Sequence, residues 1–400
     1  MMTKVVSSIR HCTFAVAILF ILAVTAGCPT EPPTGPVIGL SPSSLTFTGM
    51  EMGPNPEGET IQLANTGIGT LEWTVSGNAD WLSVTPANGS TTTETDDLTI
   101  SVDTVGATAS ESPYTAQIIV SASGAINSPR TVNVTLTLTS LPCESLSGSI
   151  STDTTLSASC YTVESDIYVT DGATLTVNPG VMLRFQQSME MTIASDGRLS
   201  AVGTEAQPIV FTGEGAIRGY WGGLRFYHSN STDNRLDHVT IEYGGGYHDA
   251  NLFLDGTSSS PARVSITNCT LRDSGTYGFY FDGDSVVRAF SDNTITGNTL
   301  GAGNASADVV GYLDDTSIYT GNDEDVVAIR GSTVSTDQTW PGIDADYLIA
   351  GDVSVSAALT IAPGARLVFE AGRDMTVDSD GQLSAVGTKD QPIVFTGEEQ

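Results

Sequence analysis

The chain has 400 residues, with 46 acidic and 15 basic side chains and a net charge of −31. Nucleic-acid affinity rests on Lys and Arg neutralising phosphates, so nucleic acid is excluded as a partner, and a polyanionic polysaccharide is disfavoured unless calcium bridges it. The length allows two or three domains of roughly 150 residues each. The acidity reads as a solvated surface that also gathers divalent cations.

The first 28 residues form an address. Lys4 and Arg10 give a positive start. "CTFAVAILFILAV" is an apolar run shorter than the about 20 residues a membrane helix needs. "TAGC" then ends at Cys28. Small residues before a cysteine resemble the lipobox of bacterial lipoproteins. The resemblance implies that Cys28 is acylated and that the protein is exported to the outer membrane or cell surface, with the membrane as a partner through its lipid anchor. Thr25 departs from the usual aliphatic residue. An ordinary leader cleaved nearby is the alternative. The Pro-rich segment over 29–37 reads as an extended tether.

Residues 38–140 carry short runs that alternate with period two: "LTFTGM", "TIQLAN", "LEWTVS", "LTISVD", "AQIIVSA" and "TVNVTLTLT". Helical periodicity is absent, and Gly, Pro, Asn and Ser punctuate the runs. This pattern predicts a sandwich of two antiparallel sheets. "NTGIGTLEWTVSGNADWLSVTPANGS" and "ESPYTAQIIVSAS" resemble the immunoglobulin-like BACON domain of bacterial surface proteins. Trp73 fits as a core anchor. Trp81 is either a packing residue or a platform for sugar.

Cys143 and Cys160 bracket a short polar loop. In an oxidising compartment they are expected to pair, at about 3 kcal/mol in the chain-entropy model. Cys269, in "VSITNCTL", aligns with apolar positions and reads as a buried free thiol. Neither CxxC nor HExxH occurs, and His228, His238 and His248 lack the spacing of a zinc site.

From residue 141 to 400 the runs shorten and turns intervene. Leu175, Val177, Leu183, Phe185, Met189, Met191, Ile193, Leu199, Ala201, Ile209 and Phe211 fall on the inward phase. Thr176, Thr192 and Ser200 fall on the outward phase. "LDHVTIEY", "ITNCTLRD" and "FSDNTITG" begin at Leu236, Ile266 and Phe290, about one coil apart. Their alignment stacks Ile241, Leu271 and Ile295 inward, forms a second column of Val239, Cys269 and Asn293, and puts Asn268 and Asp292 at a bend. Short strands wound without helices predict a parallel β-helix. "GYWGGLRF" and "VTIEYGGG" resemble phrases of the right-handed parallel β-helices of the pectin-lyase-like superfold. The expected fold is therefore all-β, an immunoglobulin-like sandwich followed by a right-handed parallel β-helix.

"DGRLSAVGTEAQPIVFTG" from Asp196 recurs as "DGQLSAVGTKDQPIVFTG" from Asp380, identical at fifteen of eighteen positions. The sentence belongs to a β-helix section that is written twice, with Tyr161 matching Tyr347. In the second copy the chain stops where "RGYWGGLRF" would begin, so that section is expected to be incomplete.

Asp237, Glu242 and Asp273 are the candidate catalytic carboxylates, since paired carboxyls serve glycoside hydrolysis. Glu242 and Arg272 occupy equivalent places in adjacent coils, which equally describes a surface ion pair. The superfold's polygalacturonase-like enzymes carry Gly-His and Arg-x-Lys phrases. This chain has neither, so no catalytic residue is carried over from them. Tyr243, Tyr247, Tyr277 and Tyr280 are candidate sugar-binding rings. Asp282, Asp284, Asp323 and Asp325 lie in Asp-rich turns that suit calcium, although turn chemistry alone also places Asp beside Gly. No cofactor is required by this reading, and calcium is the one suggested. The expected role is a non-enzymatic surface one, adhesion or glycan binding, with a polysaccharide or a surface protein as partner. A polysaccharide lyase or glycoside hydrolase, and a structural spacer, are the alternatives.

Overall fold

The computed structural model describes residues 33–51 and 53–398. The leader over 1–28, Cys28 and the first part of the tether lie outside the described residues. The chain divides into two compact units between Thr139 and Ser140.

Among the described residues the first unit has nine strands: β1 (Ile38–Ser41), β2 (Ser44–Met50), β3 (Glu59–Asn65), β4 (Leu71–Gly77), β5 (Leu82–Thr85), β6 (Asn88–Thr91), β7 (Thr95–Val102), β8 (Tyr114–Ala122) and β9 (Arg130–Thr139). They form two sheets in the orders β1-β3-β7-β5 and β2-β9-β8-β4-β6. The alternation anticipated six of these strands. β1, β5 and β6 have four residues each, too few for period two to show. Inward positions such as Ile61, Leu63, Leu98, Ile100, Ile118 and Val132 are fully buried, each contributing roughly 1.5–3 kcal/mol. One pairing departs from the antiparallel expectation: β2 runs parallel to β9. Only Pro42 and Ser43 separate β1 from β2, so the chain changes sheets there and β2 enters the second sheet along an edge. Trp73 is a core residue, as the sequence suggested. Its Nε1 donates to Asp96 Oδ2 at 3.0 Å. Its ring covers Gly89, where a Cβ would come within 2.4 Å of it.

The second unit is a parallel β-helix. One long strand, Cys160–Val169, bends from one face of the coil to the next. Its start pairs with Met182–Phe185 and its end with Glu190–Ile193. The first face continues through Ile209–Gly213, Val239–Glu242 and Thr270–Arg272. The second continues through Gly223–Tyr227, Ala250–Asp255, Tyr277–Phe281, Gly301–Ser306 and Val326–Arg330. A third face is built from Thr174–Val177, Arg198–Val202, Arg235–Asp237 and Arg263–Thr267. The inward columns are as aligned: Ile241 pairs Leu271, and Leu271 pairs Ile295. Phe185 stacks on Trp221 with centroids 4.0 Å apart. Asn268 and Asp292 take left-handed φ values of 53° and 56° at the bend. The column polar group Asn293 accepts the Cys269 N–H at 3.0 Å. Thr192 points outward but is covered, only 4% exposed. Cys143 and Cys160 form a disulfide.

The repeated sentence sits on a different face in its second copy. Met182–Phe185 lies on the first face, whereas the equivalent Arg366–Phe369 joins the second, through Asp346–Ile349. A 3-10 segment, Ala307–Tyr312, follows Gly301–Ser306; Ile318 then bridges Thr294 on the first face, and Val326–Arg330 continues the second.

Candidate functional site

The outer surface of the second face collects residues from five successive strands. Tyr168, Thr192, Arg225, Phe253 and Tyr280 pair in register, one per coil. Period two sends them outward while Ile167, Met191, Leu224, Leu252 and Phe279 fill the core. Two residues along, Tyr227 pairs with Asp255.

Glu190 is the polar centre. Its Oε2 lies 2.7 Å from His248 Nε2, and its Oε1 accepts from Thr192 at 3.3 Å and Tyr168 at 3.4 Å. Asp166 accepts the Glu190 backbone N–H. The hydrogen bond from His248 is the main cause that holds the Glu190 carboxyl below its ordinary value, against burial, which acts to raise it. Glu190 therefore stays ionised at neutral pH, as a hydrogen-bond acceptor rather than a proton donor. His248 reaches it from a loop that only glycine permits. Gly245 has φ 77°, and a Cβ on Gly246 would stand 2.2 Å from the Gly219 carbonyl oxygen.

A stack of rings and cations continues from this centre. Arg225 lies 4.3 Å over Tyr227 and 5.8 Å from Phe253, and it pairs with Asp255. Phe253 stacks on Tyr280 at 4.5 Å with planes 9° apart. Arg330 covers Tyr280 at 4.0 Å, donates to Phe281 O and Ser306 Oγ, and faces Asp282 at 3.7 Å. The faces of Phe253 and Tyr280 are thus occupied by one another and by guanidinium groups. Tyr168, Tyr227 and Tyr247 are respectively 38%, 40% and 78% exposed, but Tyr227 lies between Arg225 and a stacked His228 at 4.1 Å, so the open rings are Tyr168 and Tyr247. Tyr247 stands edge-on to His248 at 5.1 Å. Two open rings and the edge of Tyr227 therefore surround an ionised carboxylate, a histidine and a paired arginine.

The sequence candidates divide around this patch. Tyr247 belongs to it. Tyr280 is adjacent, with its ring covered. Tyr277 is half-buried on the same strand, and burial raises its hydroxyl. Tyr243 is at a bend of φ 62° and packs against the core. In the sandwich, Trp81 is half-buried and edge-on to Tyr114 at 6.5 Å.

The carboxylate candidates lie elsewhere. Glu242 is buried, accepts from Thr212 at 2.9 Å and Arg272 Nε at 2.7 Å. Asp273 is 3.9 Å from the same arginine. Burial acts to lower the Arg272 guanidinium, and the Glu242 charge outweighs it and raises it. Asp237 ends a strand of the third face and is bonded to Arg235, His238 and Asn268. Burial acts to raise Asp237, but these bonds and one from Thr267 outweigh it and lower it. All three carboxylates are thus held by basic or amide partners. Among the calcium candidates, Asp323 pairs with Arg218 at 2.7 Å, Asp325 accepts the Asn322 N–H at 2.9 Å, Asp282 faces Arg330, and Asp284 is exposed. Among the described residues, no three His, Cys, Asp or Glu side chains come together as a metal cluster.

Sequence reading did not find Tyr168, Glu190, Arg225 or Tyr227. Their signal was the outward phase of "DIYV", "EMTI" and "LRFY", read between inward residues already identified.

Comparison with known proteins follows the two units. Residues 37–139 match the viral BACON domain, and residues 148–259 match the pectate-lyase-like beta helix domain. No curated protein matches the chain. Among solved structures, the ASH/PapD-like domain of human CEP192 is similar at 12% identity, over 31% of this chain and 100% of that one, with a TM-score of 0.25. The periplasmic chaperone SfaE is 12% identical over 25% of this chain and 57% of its own, TM-score 0.22. A Bacteroides ovatus GH5 xyloglucanase in complex with a XXXG heptasaccharide is 14% identical over 40% of this chain and 46% of its own, TM-score 0.20.

Proposed function

We propose that this chain, a BACON-type sandwich joined to a pectate-lyase-like β-helix, is an exported, lipid-anchored surface protein that binds glycan without cleaving it. The carrying observation is the patch of the open rings Tyr168 and Tyr247 around Glu190, His248 and Arg225. Open tyrosine rings offer apolar platforms to the C–H faces of sugars, and the carboxylate accepts sugar hydroxyls. The leader and Cys28 support export and anchoring. Glycoside hydrolysis needs one carboxyl held protonated beside a second that is ionised. The lowering of Glu190 argues against such an acid, and the candidate carboxylates Asp237 and Glu242 are tied to arginines.

The test incubates the purified mature protein with neutral and acidic polysaccharides, with and without calcium, and reads retention and released reducing or unsaturated ends together. Retention without product is expected. Product release would overturn the non-enzymatic reading. Absence of both would overturn glycan binding in favour of a spacer, a role that the closed Phe253–Tyr280–Arg330 stack also suits.

A further inference from the structure

Both arginines within the strip are already paired with carboxylates, and the Nε of each is buried out of a ligand's reach. Arg225 is paired with Asp255 between Tyr227 and Phe253. Arg330 is shared among Tyr280, Phe281 O, Ser306 and Asp282. Against these two cations stand four carboxylates of the same strip: Asp166, Glu190, Asp255 and Asp282. What the surface leaves for a ligand is acceptor oxygens and ring faces. A hydroxyl can donate to those oxygens. A carboxylate or sulfate can only accept, finds no uncommitted cation, and is set beside Glu190.

We infer that this face selects an uncharged polyhydroxyl chain and rejects a uronate- or sulfate-bearing one. The inference rests on the glycan-binding reading above and names its ligand class. It separates two sources of repulsion. The net charge of −31 acts at long range and is screened by salt. The lack of a free cation at contact is not.

The test uses two polymers with one backbone, polygalacturonate and its fully methyl-esterified form, beside a neutral β-glucan and with chelator present to remove cation bridges. Affinity is measured at low salt and at about 0.5 M salt, where the screening length is roughly 4 Å. At least one neutral polymer is expected to be retained, and polygalacturonate to bind at least about tenfold more weakly than its ester at both salts. Polygalacturonate binding as well as its ester at high salt would overturn the inference and leave the glycan-binding reading standing. Binding of no polymer at all would remove that reading and the inference together.

Asp255→Asn releases Arg225 and is expected to gain polygalacturonate binding at high salt, with melting showing that the variant is folded. Asp255→Ser makes the same test if Asp255→Asn does not fold. A folded variant without that gain would show that arginine commitment does not set the selectivity.

Discussion

Glu242 and Arg272 face each other across adjacent coils, Oε2 to Nε at 2.7 Å, with the carboxylate buried and the guanidinium side chain 43% exposed. Removing Arg272 leaves a buried carboxylate to which Thr212 still donates. Breaking a fully buried pair costs about 3–5 kcal/mol, and the half-exposed arginine reduces this to about 1–2. Arg272→Met should therefore lower the melting temperature, while Glu242→Gln costs less, because it removes the buried charge as well. Equal losses from both variants would show that the pair is not a buried-charge interaction.

Phe253 and Tyr247 should separate stability from binding. Phe253 is wedged against His248, Tyr280 and Arg225. Phe253→Ala should destabilise by about 1–3 kcal/mol and also weaken ligand binding, by loosening the patch. Tyr247 is 78% exposed, so Tyr247→Ala should leave melting unchanged and weaken glycan binding alone. Chemical denaturation and affinity electrophoresis read the two effects.

The Glu190–His248 pair carries an acid limit. The folded carboxyl lies below its ordinary value of 4.5. Its stabilisation is therefore fully present above about that pH and is lost as pH falls through the folded value. Wild-type stability should fall between pH 5 and pH 3 more steeply than that of Glu190→Gln, in a series of melts at about unit steps of pH. Parallel curves for the two proteins would contradict the assignment.

Cys269 is fully enclosed, and burial pushes its thiol up to about 12. The thiolate is the reactive form. Iodoacetamide at mildly alkaline pH should leave the folded protein unlabelled at Cys269 and modify it once denaturant is added. Stoichiometric labelling of the native protein would place this thiol at the surface.

The inward half of the β-helix was legible because a side-chain period of two marks it. Leu175, Val177, Leu183 and Phe185 are all at or near zero exposure. The outward half was not. Whether a ring is free depends on what the next coil places over it, and that is register. Tyr280 and Tyr247 read alike in sequence, yet Phe253 and Arg330 close the first while the loop turns the second to solvent. Glu190 and His248 are 58 residues apart, and only the coil brings them together. The face on which the repeated sentence lies was hidden for a related reason. The second copy stacks on Val326–Arg330 of the second face, and the wording of the repeat does not say which face it will meet.

The most direct measurement of the central claim is the affinity of the mature protein for a neutral polysaccharide, before and after the combined change of Tyr168 and Tyr247 to alanine. Both rings are exposed, so the fold should survive, as circular dichroism and melting would show. The account predicts binding by the unmodified protein and at least about a tenfold loss in the variant, equal to about 1.4 kcal/mol or more. Binding that persists unchanged in the folded variant would contradict it, and would move the ligand to another surface of the chain.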